Sequence, residues 1–73
     1  MSRKRSLVVA GHATSVTLEK EFWDELKRIA ASRGQSLNQL AAEIDLSRQA
    51  NLSSALRVFV LKVLQAERGG SAP

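Results

Sequence analysis

Ser6-Leu7-Val8-Val9-Ala10-Gly11-His12-Ala13-Thr14-Ser15-Val16-Thr17-Leu18 is the one stretch of this 73-residue chain that reads as β-structure, and how it pairs decides the fold. Thr14, Val16 and Leu18 alternate with Ala13, Ser15 and Thr17, the period-two pattern of a strand with one buried and one open face. β-Branched residues are plentiful in it, as strands favour. A lone strand leaves a row of backbone donors and acceptors unpaired on each edge. Two arrangements remove that problem. Either the strand pairs with its copy in a second chain across a two-fold axis, or Gly11-His12 forms a type II′ turn and Ser6–Ala10 folds back on Ala13–Thr17. The pattern alone leaves both open.

Downstream the period changes to that of helices. Phe22, Leu26, Ile29 and Ala30 form one apolar stripe over about Glu19 to Arg33. Acids crowd the N-terminal half of this segment and Lys27, Arg28 and Arg33 the later part, matching the helix dipole. Gly34 is the natural residue to end it. Ser36 followed by Gln39 is a capping-box pattern, opening a second helix to about Leu46 with Leu37, Leu40, Ala41 and Ile44 inward. The stretch from Ser47 to Asn51 is polar and aperiodic. Asn51 can cap a third helix to about Glu67, in which Leu52, Ala55, Leu56, Phe59, Val60, Val63 and Leu64 recur at three- and four-residue steps. Val58 and Leu61 add apolar surface beside that stripe. So apolar a terminal helix needs cover on more than one side, which a partner chain could supply.

Composition narrows the class. Residues 1–5 read as a basic arm, 6–67 as one domain and 68–73 as a flexible tail. About 60 residues remain for the core, a size at which folding buries only about 60% of the extended chain's surface. There is no cysteine, so neither a disulfide nor a thiolate metal site can staple the fold, and self-association is the remaining common device. No apolar run approaches a membrane span, and Leu7–Ala10 is too short for a signal-peptide core. A soluble, cytoplasmic protein without membrane contact is expected. The formal charge is +4, and its placement matters more than its size. Between Glu19 and Gly34 acids and bases cancel, four against four, so the surplus sits on Arg3, Lys4 and Arg5, with a smaller share from Arg57, Lys62 and Arg68. Such an arm suits a polyanion, or else simply keeps the chain dissolved.

Strand, helix, Gly34-Gln35-Ser36 and second helix together resemble the ribbon-helix-helix DNA-binding family, the Arc and methionine-repressor type. The run GHATSVTLEKEFWDELKRIAASRG (residues 11–34), with NLSSALRVFVL (51–61), is similar to a subgroup of short bacterial members. The third helix departs from the minimal family, which stops after two. The resemblance implies a mainly α fold with one strand per chain: an intertwined homodimer joined by a two-stranded antiparallel intermolecular ribbon. Its expected dimer core is Val16, Leu18, Phe22, Leu26, Leu40, Ile44, Leu56 and Phe59. It also implies a transcriptional regulator, of repressor type, whose ribbon enters the major groove of double-stranded DNA. Ala13, Ser15 and Thr17 would then face base edges, Ser36 and Leu37 would clamp a phosphate at a helix N-terminus, and Arg3, Lys4 and Arg5 would add contacts, with further dimers binding alongside. The alternative is a protein-interaction module, such as an antitoxin or scaffold, docking a protein partner through the third helix.

No reaction is suggested. His12 is the one histidine and has no carboxylate or second histidine near it before Glu19, so catalysis and metal binding lack partners. Ser53 and Ser54 fit the first turn of a helix. Trp23, beside Phe22, is expected to pack rather than stack on a base. Gly11 alone makes no phosphate loop. No cofactor, metal or catalytic residue is expected.

Overall fold

The computed structural model describes residues 2–47 and 51–69. Two strands, β1 (Ser2–Val9) and β2 (His12–Glu19), precede three helices, α1 (Lys20–Ser32), α2 (Leu37–Ser47) and α3 (Leu52–Gly69). The strands form one antiparallel pair within the chain, in a register running from Ser2 opposite Glu19 to Val9 opposite His12.

This corrects two expectations. The ribbon is closed inside one chain, not between two, and the basic residues 2–5 belong to a strand rather than to an arm. The physical reason lies at the turn. Ala10 has φ +52° and Gly11 φ +80°, so both central residues are left-handed, as in a type I′ turn. Its backbone twist matches that of paired strands and returns the chain directly. The turn therefore sits at Ala10-Gly11, one residue earlier than Gly11-His12. The ladder reaches eight residues a side because residues 2–5 pair with residues 16–19.

The hairpin places Leu7, Val9, Val16 and Leu18 on one face, where all four are buried. They meet Leu26, Ile29 and Ala30 of α1, Leu40, Ala41 and Ile44 of α2, and Leu56 and Val60 of α3 in one core. Phe22, Trp23, Leu37 and Phe59 pack partly buried against it. The residues expected in a dimer core thus gather in the core of a single chain. Leu7 and Val9 complete it, taking part of the role foreseen for a second copy.

Helix ends follow their sequence signals. Gly34, at φ +67°, lets its own N–H reach the Ala31 carbonyl (3.1 Å) and the Gln35 N–H reach that of Ala30 (2.9 Å), the paired bonds of a Schellman motif. At α2 the Gln39 N–H donates to Ser36 Oγ (3.1 Å) and the Ser36 N–H to Gln39 Oε1 (2.8 Å), both halves of a capping box. Asn51 Oδ1 accepts from the Ser54 N–H (2.8 Å) and caps α3. That helix runs two residues past the expected Glu67. The rest of the expected flexible tail, 70–73, lies outside the described residues, as does Met1 of the expected arm.

Candidate nucleic-acid interface

Alternation along the hairpin sorts its side chains into two faces. Opposite the core lie Ser2, Lys4, Ser6 and Val8 of β1 and Ala13, Ser15, Thr17 and Glu19 of β2. All but the half-buried Glu19 are exposed. Cross-strand neighbours on this outer face are Lys4 with Thr17, Ser6 with Ser15, and Val8 with Ala13. The face is narrow, two strands wide, and carries small or hydroxyl-bearing side chains with one cation, Lys4, and one acid, Glu19. Ala13, Ser15 and Thr17 stand where the sequence placed them. Ser6 joins them, as the fold-back alternative allowed, and so does Lys4, whose place on the ribbon was not foreseen because residues 1–5 read as an arm.

The basic cluster is divided by the same alternation. Lys4 points outward and Arg3 is exposed at the far end of the inner face. Arg5 lies over Trp23, its guanidinium carbon 5.1 Å from the ring centroid, with Nε buried and lacking a hydrogen-bond partner. Arg33 covers Phe59 at 5.2 Å and Arg57 covers Phe22 at 6.0 Å. Each of the chain's three aromatic rings thus carries an arginine, in cation–π geometry. Trp23 packs, as expected, instead of standing free.

Both ribbon edges are held by helix N-termini. In a two-residue hairpin closed by Val9 and His12, the backbone groups of Val8 and Thr17 point outward rather than into the ladder. The Val8 N–H donates to Asn38 Oδ1 in the first turn of α2 (3.1 Å). The Thr17 N–H donates to Ser53 Oγ in the first turn of α3 (3.0 Å), and the Thr17 carbonyl accepts from Arg57 Nη2 (2.8 Å). Ser53 therefore does more than begin a helix, Asn38 was missed, and Arg57 was read only as part of the surplus positive charge. Their only sequence signal is a polar residue in the first two turns of a helix. Arg57 Nε also donates to Glu19 Oε1 (3.0 Å), and this guanidinium holds the Glu19 carboxyl below the usual carboxylate range.

Ser36 and Leu37 open α2 beside the turn end of β1. The capping box uses the Ser36 hydroxyl and the Gln39 N–H. The N–H groups of Leu37 and Asn38 lie in the first helical turn, where no intrahelical acceptor exists. A cleft of about 660 Å³ runs between β2 and the start of α3, lined by His12, Thr14, Asp45, Asn51 and Arg57 among others. His12 is exposed, and the described residues contain no cluster of three or more metal-ligating side chains.

The sequence model of the ribbon-helix-helix domain matches residues 2–64. The chain belongs to the ribbon-helix-helix family. That family is in general one of DNA-binding transcription regulators. Among solved structures, the chain is similar to an uncharacterized protein from Bordetella pertussis Tohama I, at 42% identity and a TM-score of 0.71. The match covers 93% of this ribbon-helix-helix chain and 61% of that protein, so the chain spans about three-fifths of its length. No curated protein matches the chain.

Proposed function

We propose that the chain is a transcriptional regulator that lays its β-hairpin in the major groove of duplex DNA, with helix N-termini gripping the phosphates on either side. The observation that carries this is the outer face itself: exposed Lys4, Ser6, Ser15 and Thr17 on a two-stranded ribbon, in a family of DNA-binding regulators. A ribbon of that width fits the major groove. Hydroxyls and a lysine can hydrogen-bond base edges there, and no bulky ring stands in the way. Arg3, exposed at the far end of the opposite face, adds positive charge at the Lys4 end of the ribbon, where a DNA backbone would pass. The N–H groups of Leu37 and Asn38, with the α2 dipole behind them, suit a phosphate at the edge of the groove. The protein works as a homodimer in this reading, joined through its helices, and additional dimers can line up on longer sites. No helix of the described residues is long and apolar enough to cross a membrane, and a cytoplasmic regulator agrees with that.

Measuring affinity for random duplex against salt tests the proposal. Replacing Arg3 by alanine should flatten the log–log salt slope by up to about one unit, for the one phosphate no longer neutralised. Binding that ignores salt, or no binding to any duplex, would contradict it.

A second reading has its own observation. Val58, Leu61 and Leu64 of α3 are 49%, 51% and 38% exposed, and an apolar groove of about 510 Å³ lies beside them between Ile44, Ala55, Val58 and Phe59. Such a face suits a docking partner of antitoxin type, unless pairing of two copies covers it.

A further inference from the structure

We propose that each chain reads DNA directionally: the tract under its ribbon is about four base pairs long and non-palindromic, with guanine favoured at the Lys4 end and thymine at the Val8–Ala13 end. This rests on the DNA-binding reading above and adds which sequences that ribbon selects.

A ribbon made from one strand and its copy has a two-fold axis through its centre, so it offers the same side chains read in either direction and demands a palindrome beneath it. The hairpin here has no such axis. Its outer face runs from Lys4 with Thr17, through Ser6 with Ser15, to Val8 with Ala13. One end therefore carries a cation, the middle carries two hydroxyls, and the other end is apolar, with Val8 48% exposed. Each chemistry has a matching base edge in the major groove. A lysine ammonium pairs with the O6 and N7 acceptors of guanine, small apolar groups meet the thymine methyl, and serine hydroxyls accept either kind of edge. Preference should concentrate at the two ends and fade in the middle.

The span follows from the backbone. Four residues separate Lys4 from Val8, about 13 Å at ~3.4 Å per residue, or roughly four base pairs at ~3.4 Å each. The edges keep the ribbon two strands wide. Asn38 holds the outward N–H of Val8, while Ser53 and Arg57 hold both outward groups of Thr17. A third strand would have to displace them. Glu19, at the Lys4 end, is turned to Arg57, which keeps its charge off the groove. If two chains bind together, each contributes its own directional tract, and the pair is inverted only as a whole.

The test is selection of bound duplexes from a random pool by the full chain at physiological salt, followed by base replacement in the selected tract. The expected tract differs from its own reverse complement. Exchanging its terminal thymine for deoxyuridine, which removes only the methyl, should weaken the unaltered protein several-fold. Val8→Ser should abolish that difference. Lys4→Ala should reduce the preference for guanine at the opposite end by about tenfold and leave the thymine preference intact. A palindrome centred under the ribbon, or a Lys4→Ala loss equal for all sequences, would overturn the directional reading while leaving DNA binding in place. Recovery of no duplex at all would overturn the DNA-binding reading itself.

Discussion

Leu7 is 4% exposed, in the same core as Val16 and Leu18, although it lies just beyond three consecutive basic residues. Its truncation to alanine is expected to cost about 2–5 kcal/mol in denaturant unfolding, the range for a buried leucine. A loss under about 0.5 kcal/mol, typical of exposed sites, would mean that β1 is not docked. Two residues carry the turn. Ala10 holds a positive φ that alanine tolerates poorly, at a cost of roughly 1–2 kcal/mol that Asn partly avoids, so Ala10→Asn should raise stability by up to about 1 kcal/mol. A Cβ at Gly11 would meet nothing within 4 Å, so Gly11→Ala should destabilise through backbone strain alone, measurable in the same unfolding experiment. Glu19 supplies a pH dependence. Arg57 lowers its folded-state pKa from 4.5, so its contribution is complete above that value and fades as the pH falls through the lowered one. Acid unfolding followed by circular dichroism should show a shallower loss below pH 4.5 for Glu19→Gln than for the parent chain.

Among the elements, the helices were legible, whereas the hairpin was legible only as one of two arrangements and with its turn one residue late. Gly34, Ser36 with Gln39, and Asn51 each announced a helix boundary through a local hydrogen-bonding chemistry that needs no tertiary context, and each makes that bond. Ser36→Ala should cost about 1 kcal/mol of stability, as loss of an N-cap does. The turn was harder because Gly11 can serve either as the second residue of a type I′ turn after Ala10 or as the first of a type II′ turn before His12. Ala10 carries no sign of a positive φ. The first strand was hidden by its charge. Arg3, Lys4 and Arg5 look like a solvated tail, yet Arg5 alternates with Leu7 and Val9 and lays its guanidinium over Trp23, as long basic side chains do at the rim of a core. The outer-face positions Ala13, Ser15 and Thr17 could be read from alternation, whereas Lys4 and Ser6 depended on which strand lay beside them. The edge ties depended on tertiary structure alone. Removing them together, as Asn38→Ala with Ser53→Ala, should speed amide exchange at Val8 and Thr17 while the core amides stay protected.

In the whole molecule the two faces have different characters. One side presents the small polar ribbon with Lys4; another presents the apolar ridge of Val58, Leu61 and Leu64 on α3. An apolar ridge of this kind tends to be covered in solution, and in the homodimer proposed above a second copy covers it. Val58→Glu with Leu61→Glu should therefore lower the solution mass toward one chain at micromolar concentration while the circular dichroism spectrum is retained. Closure of the ribbon within one chain is the claim on which the reading face, its direction and this division of labour all stand. Nuclear Overhauser spectroscopy on an equimolar mixture of isotope-labelled and unlabelled copies tests it most directly. The expected result is an Hα–Hα contact between Ser6 and Ser15 within labelled chains; finding that contact only between a labelled and an unlabelled chain would contradict it.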